Sequence, residues 1–336
     1  MTHLQDQFIL PSNSNQEIAE QCIKETGLEN AFFAAYYLLD FILAFLGNTL
    51  ALWIFIYDHK SGTPANIFLM HLAVADLSYV LTLPLRLVYH LTAGHWPFGE
   101  LACRFTGFLF YLNMYASIYF MAYISVDRFF AIVYPVKSIT VRKPLHAHLA
   151  SITLWVLVGV AMAPLLATAQ TIQVNNVTIC LQLYREKASR RALASLAIAF
   201  TIPFIVILFS YLMIVQSLKR GNRIEKHLKD KAIQMISLVL AIFLVCFVPY
   251  HVNRFVYILL YDGASCDMQR ILALSNRITS CLTSLNGALD PVLYFFVAEK
   301  FRETFRRLIC GNRPQTLSQN NEAKTNESSL SAKSEL

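Results

Sequence analysis

The sequence predicts an all-α membrane protein: a seven-transmembrane helix bundle followed by a short amphipathic eighth helix. Three observations carry this. Of 336 residues, 56% are hydrophobic and only 15% charged, against the ~25% charge typical of soluble domains. Seven apolar stretches are each long enough to cross the ~30 Å hydrocarbon core at 1.5 Å of helix per residue. Only helices satisfy every backbone group in lipid over such lengths. Lys and Arg concentrate in alternate connections, as cytoplasmic loops require.

Residues 1–30 are polar and lean acidic, with Asp6, Glu17, Glu20, Glu25 and Glu29 against Lys24. They read as an extracellular tail. No basic start leads into an apolar stretch, so the first span is expected to act as its own insertion signal. The bundle, 31–297, has spans near Ala31–Tyr57, Asn66–Leu91, Glu100–Tyr134, His146–Thr168, Ala192–Leu218, Ala232–Tyr261 and Ile271–Val297. The third organises the rest. Phe105 to Val126 carries no charge, and ~37 Å of helix separates Cys103 from Asp127-Arg128 at opposite membrane faces. Connections one, three and five hold Lys60; Lys137, Arg142 and Lys143; and six basic residues from Lys219 to Lys231. An odd span count then sets the N-terminus outside and the C-terminus in the cytoplasm of a multi-pass membrane protein. Connection four breaks the pattern with Arg185, Lys187, Arg190 and Arg191.

Four of seven cysteines fall on the outer, oxidising face: Cys22, Cys103, Cys180 and Cys266. The natural pairing is Cys103–Cys180, with Cys22–Cys266 second. Asn176-Val-Thr178 is a glycosylation sequon on that face, whereas Asn326-Glu-Ser328 fits the pattern from the cytoplasmic side. The chain has no Gly-rich phosphate loop, CxxC pair, HExxH or nucleophile elbow. No enzyme activity is expected. The net charge of +7 lies between spans rather than on one face, so no nucleic-acid partner is expected either.

The motifs fall once per span, in order. They are Gly47-Asn48; Leu72-Ala73-Val74-Ala75-Asp76; Asp127-Arg128-Phe129; Trp155; Pro203 and Tyr211; Phe243 with Cys246-Phe247-Val248-Pro249; and Asp290-Pro291-Val292-Leu293-Tyr294. Over residues 30–310 the chain resembles the rhodopsin-like (class A) G-protein-coupled receptors. Phe129 replaces the usual Tyr, Phe247 the usual Trp, and Asp290 stands where many relatives have Asn. With His251-xx-Arg254 and the Cys22/Cys266 pair, these departures resemble the purinergic branch.

The resemblance implies a receptor that activates heterotrimeric G proteins, expected of the Gi class, with arrestin and receptor kinases as further partners. Its ligand would be a small anion: a uracil nucleotide, a sugar nucleotide or a cysteinyl leukotriene. The alternatives are another anionic lipid, a largely constitutive receptor, or, outside receptors, a membrane transporter. Paired repeats and broken helices of the transporter kind are not seen. A retinal protein would need a lysine deep in the seventh span, which has none. By resemblance, Asp127 holds Arg128 at rest and releases it as the sixth helix swings out, with Tyr211 and Tyr294 taking new positions. Pro203, Pro249 and Pro291 each remove a backbone bond inside a helix, and Pro249 beside Phe243 and Phe247 is the expected pivot.

Asp76 and Asp290 are carboxylates near the membrane centre, where charge costs about 2.5–3.5 kcal/mol. Such a pair either shares a proton or binds a cation. A sodium ion is expected there, with oxygens from Asn113, Ser117 and Asn286; the alternative is a neutral hydrogen-bonded cluster. For the ligand, Arg86, Tyr111, His251, Arg254 and Arg277 converge on an outer cationic cavity with aromatic walls, and Arg185 stands at its rim. Arginine forks suit phosphate and carboxylate. Alternatively Arg86 and Arg277 snorkel to headgroups, and His251 only packs. Inside, residues 298–310 place Phe301, Phe305 and Leu308 on one face among Lys300, Arg302, Arg306 and Arg307, a membrane-surface helix. It ends at Cys310, a palmitoylation candidate. Residues 311–336 read as a disordered tail with Ser and Thr phosphorylation candidates. Its last residues, Ser334, Glu335 and Leu336, resemble a PDZ ligand.

Overall fold

The computed structural model describes residues 26–57, 62–174, 176–183, 192–220, 226–261 and 263–310. The elements are α1 (Gly27–Tyr57), α2a (Pro64–Val80) with α2b (Leu83–Leu91), α3 (Gly99–Val133), α4 (Pro144–Met162), strands β1 (Thr171–Val174) and β2 (Val177–Cys180), α5 (Ala192–Arg220), α6a (Lys226–Cys246) with α6b (Val248–Leu260), α7 (Cys266–Val297) and α8 (Glu299–Cys310). A short helix, Pro135–Val141, links α3 to α4.

Among the described residues, six spans are by themselves long and apolar enough to cross a membrane. The seventh, α7, has 32 residues and ample length. Its polarity is high because Asn276, Arg277, Ser280, Thr283, Ser284, Asn286 and Asp290 all turn into the bundle. Apolar side chains on α1 and α4, such as Leu39, Leu46, Ile152 and Val160, face outward, where lipid rather than water covers them.

Two spans expected as single helices are broken. The second stops at Val80 and restarts at Leu83, because Pro84 lies in the first turn of α2b and cannot donate to the preceding turn. Thr82 Oγ1 donates to the carbonyl oxygen of Tyr79 at the step (2.8 Å). The sixth breaks at Phe247, just before Pro249 enters the first turn of α6b. By contrast, α5 and α7 run on through Pro203 and Pro291.

The long α3 is central, packed against α2, α4, α5 and α6. α1 and α7 approach closely at Gly47, where a Cβ would collide with Pro291 Cγ. The gap is bridged by Asn48, whose Nδ2 donates to the carbonyls of Ala44 (2.9 Å) and Gly287 (2.7 Å).

Connection four folds into an antiparallel hairpin, Thr171 pairing with Cys180 and Val174 with Val177. Asn176, the sequon residue, sits at its tip with φ +65°, in the left-handed region Asn tolerates. The hairpin is pinned to α3 by the Cys103–Cys180 disulfide and by Glu100, which accepts from the backbone N of Gln170 (2.7 Å) and Thr171 (2.8 Å). Cys266 is also disulfide-bonded; Cys22, its expected partner, lies outside the described residues. α8 leaves α7 at a sharp bend after Ala298 and packs Phe301 against Tyr294.

Candidate functional site

At the hairpin end of the bundle, α2b, α3, α6b and α7 bring buried cations onto aromatic walls. Arg86 is 1% exposed. Its guanidinium carbon lies 4.9 Å from the ring centre of Phe110, 5.7 Å from Tyr79 and 5.8 Å from Tyr37. It faces the interior and does not snorkel to headgroups. Phe110 meets Tyr111 and Tyr250 edge-on, and Tyr250 Oη donates to Tyr111 Oη (3.1 Å). This aromatic run leads to His251, stacked on Phe200 at 4.2 Å and edge-on to Tyr115. His251 Nδ1 lies 2.8 Å from the Phe247 carbonyl oxygen, while Nε2 is buried without a partner among the described residues. His251 therefore packs and also presents one ring nitrogen.

Arg254, nearly one turn further, is buried with its guanidinium 5.2 Å from the Tyr257 ring centre. Arg277 on α7 is 3% exposed, again inside the bundle rather than at its surface, and 4.0 Å from Glu29. The rim residues Arg185, Lys187, Arg190 and Arg191 lie outside the described residues.

Midway along the bundle, Asp76 Oδ1 accepts from Asn113 Nδ2 (2.9 Å) and Asn286 Nδ2 (3.2 Å), and Oδ2 lies 3.3 Å from Tyr294 Oη. Asn113 thus offers Asp76 its amide nitrogen, not the oxygen expected for an ion. Other oxygens do remain. Ser117 Oγ and Asn286 Oδ1 are buried with no hydrogen-bond partner among the described residues, and the wholly buried carboxyl of Asp290 lies within reach of Asp76. Two adjacent buried carboxylates ringed by oxygens and amide donors have the chemistry either to hold a small cation or to share a proton within a hydrogen-bonded cluster.

At the opposite end, Asp127 holds Arg128 Nη2 at 2.9 Å, as expected. It also binds Arg142 from both oxygens, Nε at 2.6 Å and Nη2 at 3.0 Å. One carboxylate therefore serves two guanidiniums, and the bidentate geometry goes to Arg142. Phe129, Tyr211, Met235 and Ile236 form an apolar cluster between α3, α5 and α6a beside it. Phe243 and Phe247 are fully buried, with Phe243 stacked on Phe200 and Phe204 of α5. The single Tyr294 O–H lies between two acceptors, Asn48 Oδ1 at 2.9 Å and Asp76 Oδ2 at 3.3 Å, so Asn48, Asp76 and Tyr294 form one network beside Pro291. Cys310 ends α8, with its side chain outside the described set, as are Ser334, Glu335 and Leu336.

Four residues of these sites are not picked out by the sequence reading. Asp40, 3% exposed on α1, accepts from Ser284 Oγ on α7; a lone carboxylate in an apolar span was the signal for it. His90 Nδ1 meets Asn30 Oδ1 (3.2 Å). Glu29 and Arg142 are counted in the sequence only toward charge balance, and no local pattern marks their partners.

Comparison with known proteins fits this geometry. The family described as "7 transmembrane receptor (rhodopsin family)" matches residues 47–294. The human uracil nucleotide/cysteinyl leukotriene receptor is 69% identical over 329 residues, covering 97% of this chain and 90% of the relative. A rat purinoceptor is 32% identical over 292 residues, covering 84% and 78%. Human cysteinyl leukotriene receptor 2 is 33% identical over 310 residues, covering 90% and 88%. The matched family is one of multi-pass plasma-membrane receptors, not enzymes. With seven spans, a carboxylate pair at mid-depth and an Asp-Arg pair at one end, this chain belongs to the class A G-protein-coupled receptors, in their purinergic branch.

Proposed function

We propose that the receptor binds a small anion at the hairpin end and transmits that event to a Gi-class heterotrimer at the Arg128 end. The ligand class is a uracil nucleotide, a sugar nucleotide or a cysteinyl leukotriene. One observation carries the reading: three arginines, Arg86, Arg254 and Arg277, are buried in the outer half of a membrane bundle, with aromatic rings or a carboxylate beside them. Three guanidiniums gathered in one part of the bundle make it cationic, and the planar fork of each matches phosphate or carboxylate. Tyr111 and His251 contribute the wall and a ring nitrogen, and Arg185 the rim. The disulfide-pinned hairpin and Asn176 support an extracellular N-terminus and a cytoplasmic C-terminus.

Release of Arg128 from Asp127, with α6 turning about Phe247-Val248-Pro249, opens the cytoplasmic end. Arrestin and receptor kinases would use the same end and the tail. Cys310 is the lipidation site, and Ser334-Glu335-Leu336 the PDZ-binding terminus. A sodium ion would be held by Asp76, Asp290, Ser117 and Asn286, where it neutralises two adjacent carboxylates. Substituting Asp76→Asn is expected to abolish the sodium dependence of agonist affinity; persistence of that dependence in radioligand binding argues against the ion site. The function itself is tested by G-protein activation in cells against uracil nucleotides, sugar nucleotides and cysteinyl leukotrienes, with basal activity recorded. Activation by at least one is expected. A flat response to all of them, on a receptor present at the surface, contradicts the ligand assignment.

A further inference from the structure

Glu29 lies in the first turn of α1, and its carboxylate reaches two arginines of α7, Arg270 at 3.8 Å and Arg277 at 4.0 Å. Its position is fixed locally. Glu29 N donates to Thr26 Oγ1 (3.2 Å), and Thr26 N donates to Glu29 Oε2 (3.2 Å), a reciprocal capping box. The neighbouring Asn30 ties the same turn to His90 of α2b. A capping box needs an acceptor at this position, and glutamine serves as well as glutamate. The negative charge is therefore surplus to the cap. It lies against Arg277, whose side chain is almost wholly buried, while Arg270 is largely exposed.

The geometry points to Glu29 as a tethered competitor for the ligand's anionic group. This rests on the reading of Arg277 as a ligand contact. Without ligand, Glu29 places a negative charge against Arg277, and a bound ligand must outcompete it. Glu29 carries one negative charge and is partly solvated, so the pair is weak. A group of higher charge, such as a diphosphate, gains more at Arg277 than Glu29 gives up. A neutral analogue gains nothing. Glu29 thereby selects for ligands of high negative charge.

The test uses the full-length receptor in lipid nanodiscs, with uridine diphosphate and a cysteinyl leukotriene as probes and uridine as the uncharged control. Glu29→Gln keeps the cap and removes the charge. It is expected to tighten binding of an anionic probe about three- to fivefold and leave uridine unchanged. The gain should vanish in an Arg277→Gln background. Thr26→Ala, which breaks the cap but keeps the charge, should not reproduce it. If Arg277→Gln weakens the anion but Glu29→Gln does not tighten it, the competitor role alone is overturned. If Arg277→Gln has no effect, or neither probe binds wild type or Glu29→Gln, the ligand assignment falls and the competitor role with it.

Discussion

Replacing Cys103 or Cys180 with serine is expected to remove most folded receptor from the cell surface. The disulfide closes a sequence separation of 77 residues. In the chain-entropy model such a closure stabilises by about 4 kcal/mol, a large share of the ~5–15 kcal/mol that holds a typical domain together. The bond also fixes the hairpin over α3. Cys103 is fully buried, and the strand that carries Cys180 leads into Leu181-Gln182-Leu183, packed on α3. Gly107 has no side chain because Gln182 lies there; a Cβ would be 2.5 Å from Gln182 Cγ. The Glu100 contacts to Gln170 and Thr171 survive the substitution but are partly exposed, so they cannot hold the hairpin alone. Surface labelling of non-permeabilised cells should fall at least about tenfold for either single variant. The double variant should lose no more than either single one, because one bond is broken in all three. Additive losses would mean that the cysteines act separately.

The second large effect is expected at Arg254. Changing it to alanine should weaken an anionic agonist more than tenfold, since a charge-assisted hydrogen bond is worth about 1.5–3 kcal/mol. Lysine should recover only part of this, because it lacks the planar fork. Agonist potency is measured at matched surface expression, which separates ligand loss from misfolding. Arg254 shares its buried face of α6b with His251 and Tyr257 and is within electrostatic reach of Tyr115 on α3. Its loss should therefore leave the break at Phe247 and the Phe200–Phe243 stack in place. Unchanged potency in Arg254→Ala would remove it from the site.

Much of this was legible in the chain because lipid simplifies the code. Span positions follow from apolar length, and four cysteines on one face announce disulfides, although counting alone leaves three pairings open. Asp76, Asp290 and Arg254 stand out because ionisable groups in apolar runs are costly. What stayed hidden was pairing between distant elements. Arg142 looked like one more cytoplasmic cation, yet it takes the bidentate place on Asp127. Glu29 looked like part of an acidic tail, yet it faces Arg277 of the adjacent helix α7, far later in the chain. That Asn113 is within reach of Asp76 is a contact between distant spans, and a carboxylate acceptor then takes the amide nitrogen rather than the oxygen. The break at Leu81-Thr82 was signalled by Pro84, but proline alone does not foretell a break, since α5 and α7 absorb theirs.

The most direct measurement is agonist affinity on purified receptor in nanodiscs, with and without a heterotrimeric G protein. Two sites joined through one bistable bundle must influence each other reciprocally. The heterotrimer should tighten binding of the activating anion, and a non-hydrolysable GTP analogue should reverse that tightening. Identical anion affinity in the presence and absence of the G protein would contradict a bundle that links the buried arginines at one end to Arg128 at the other.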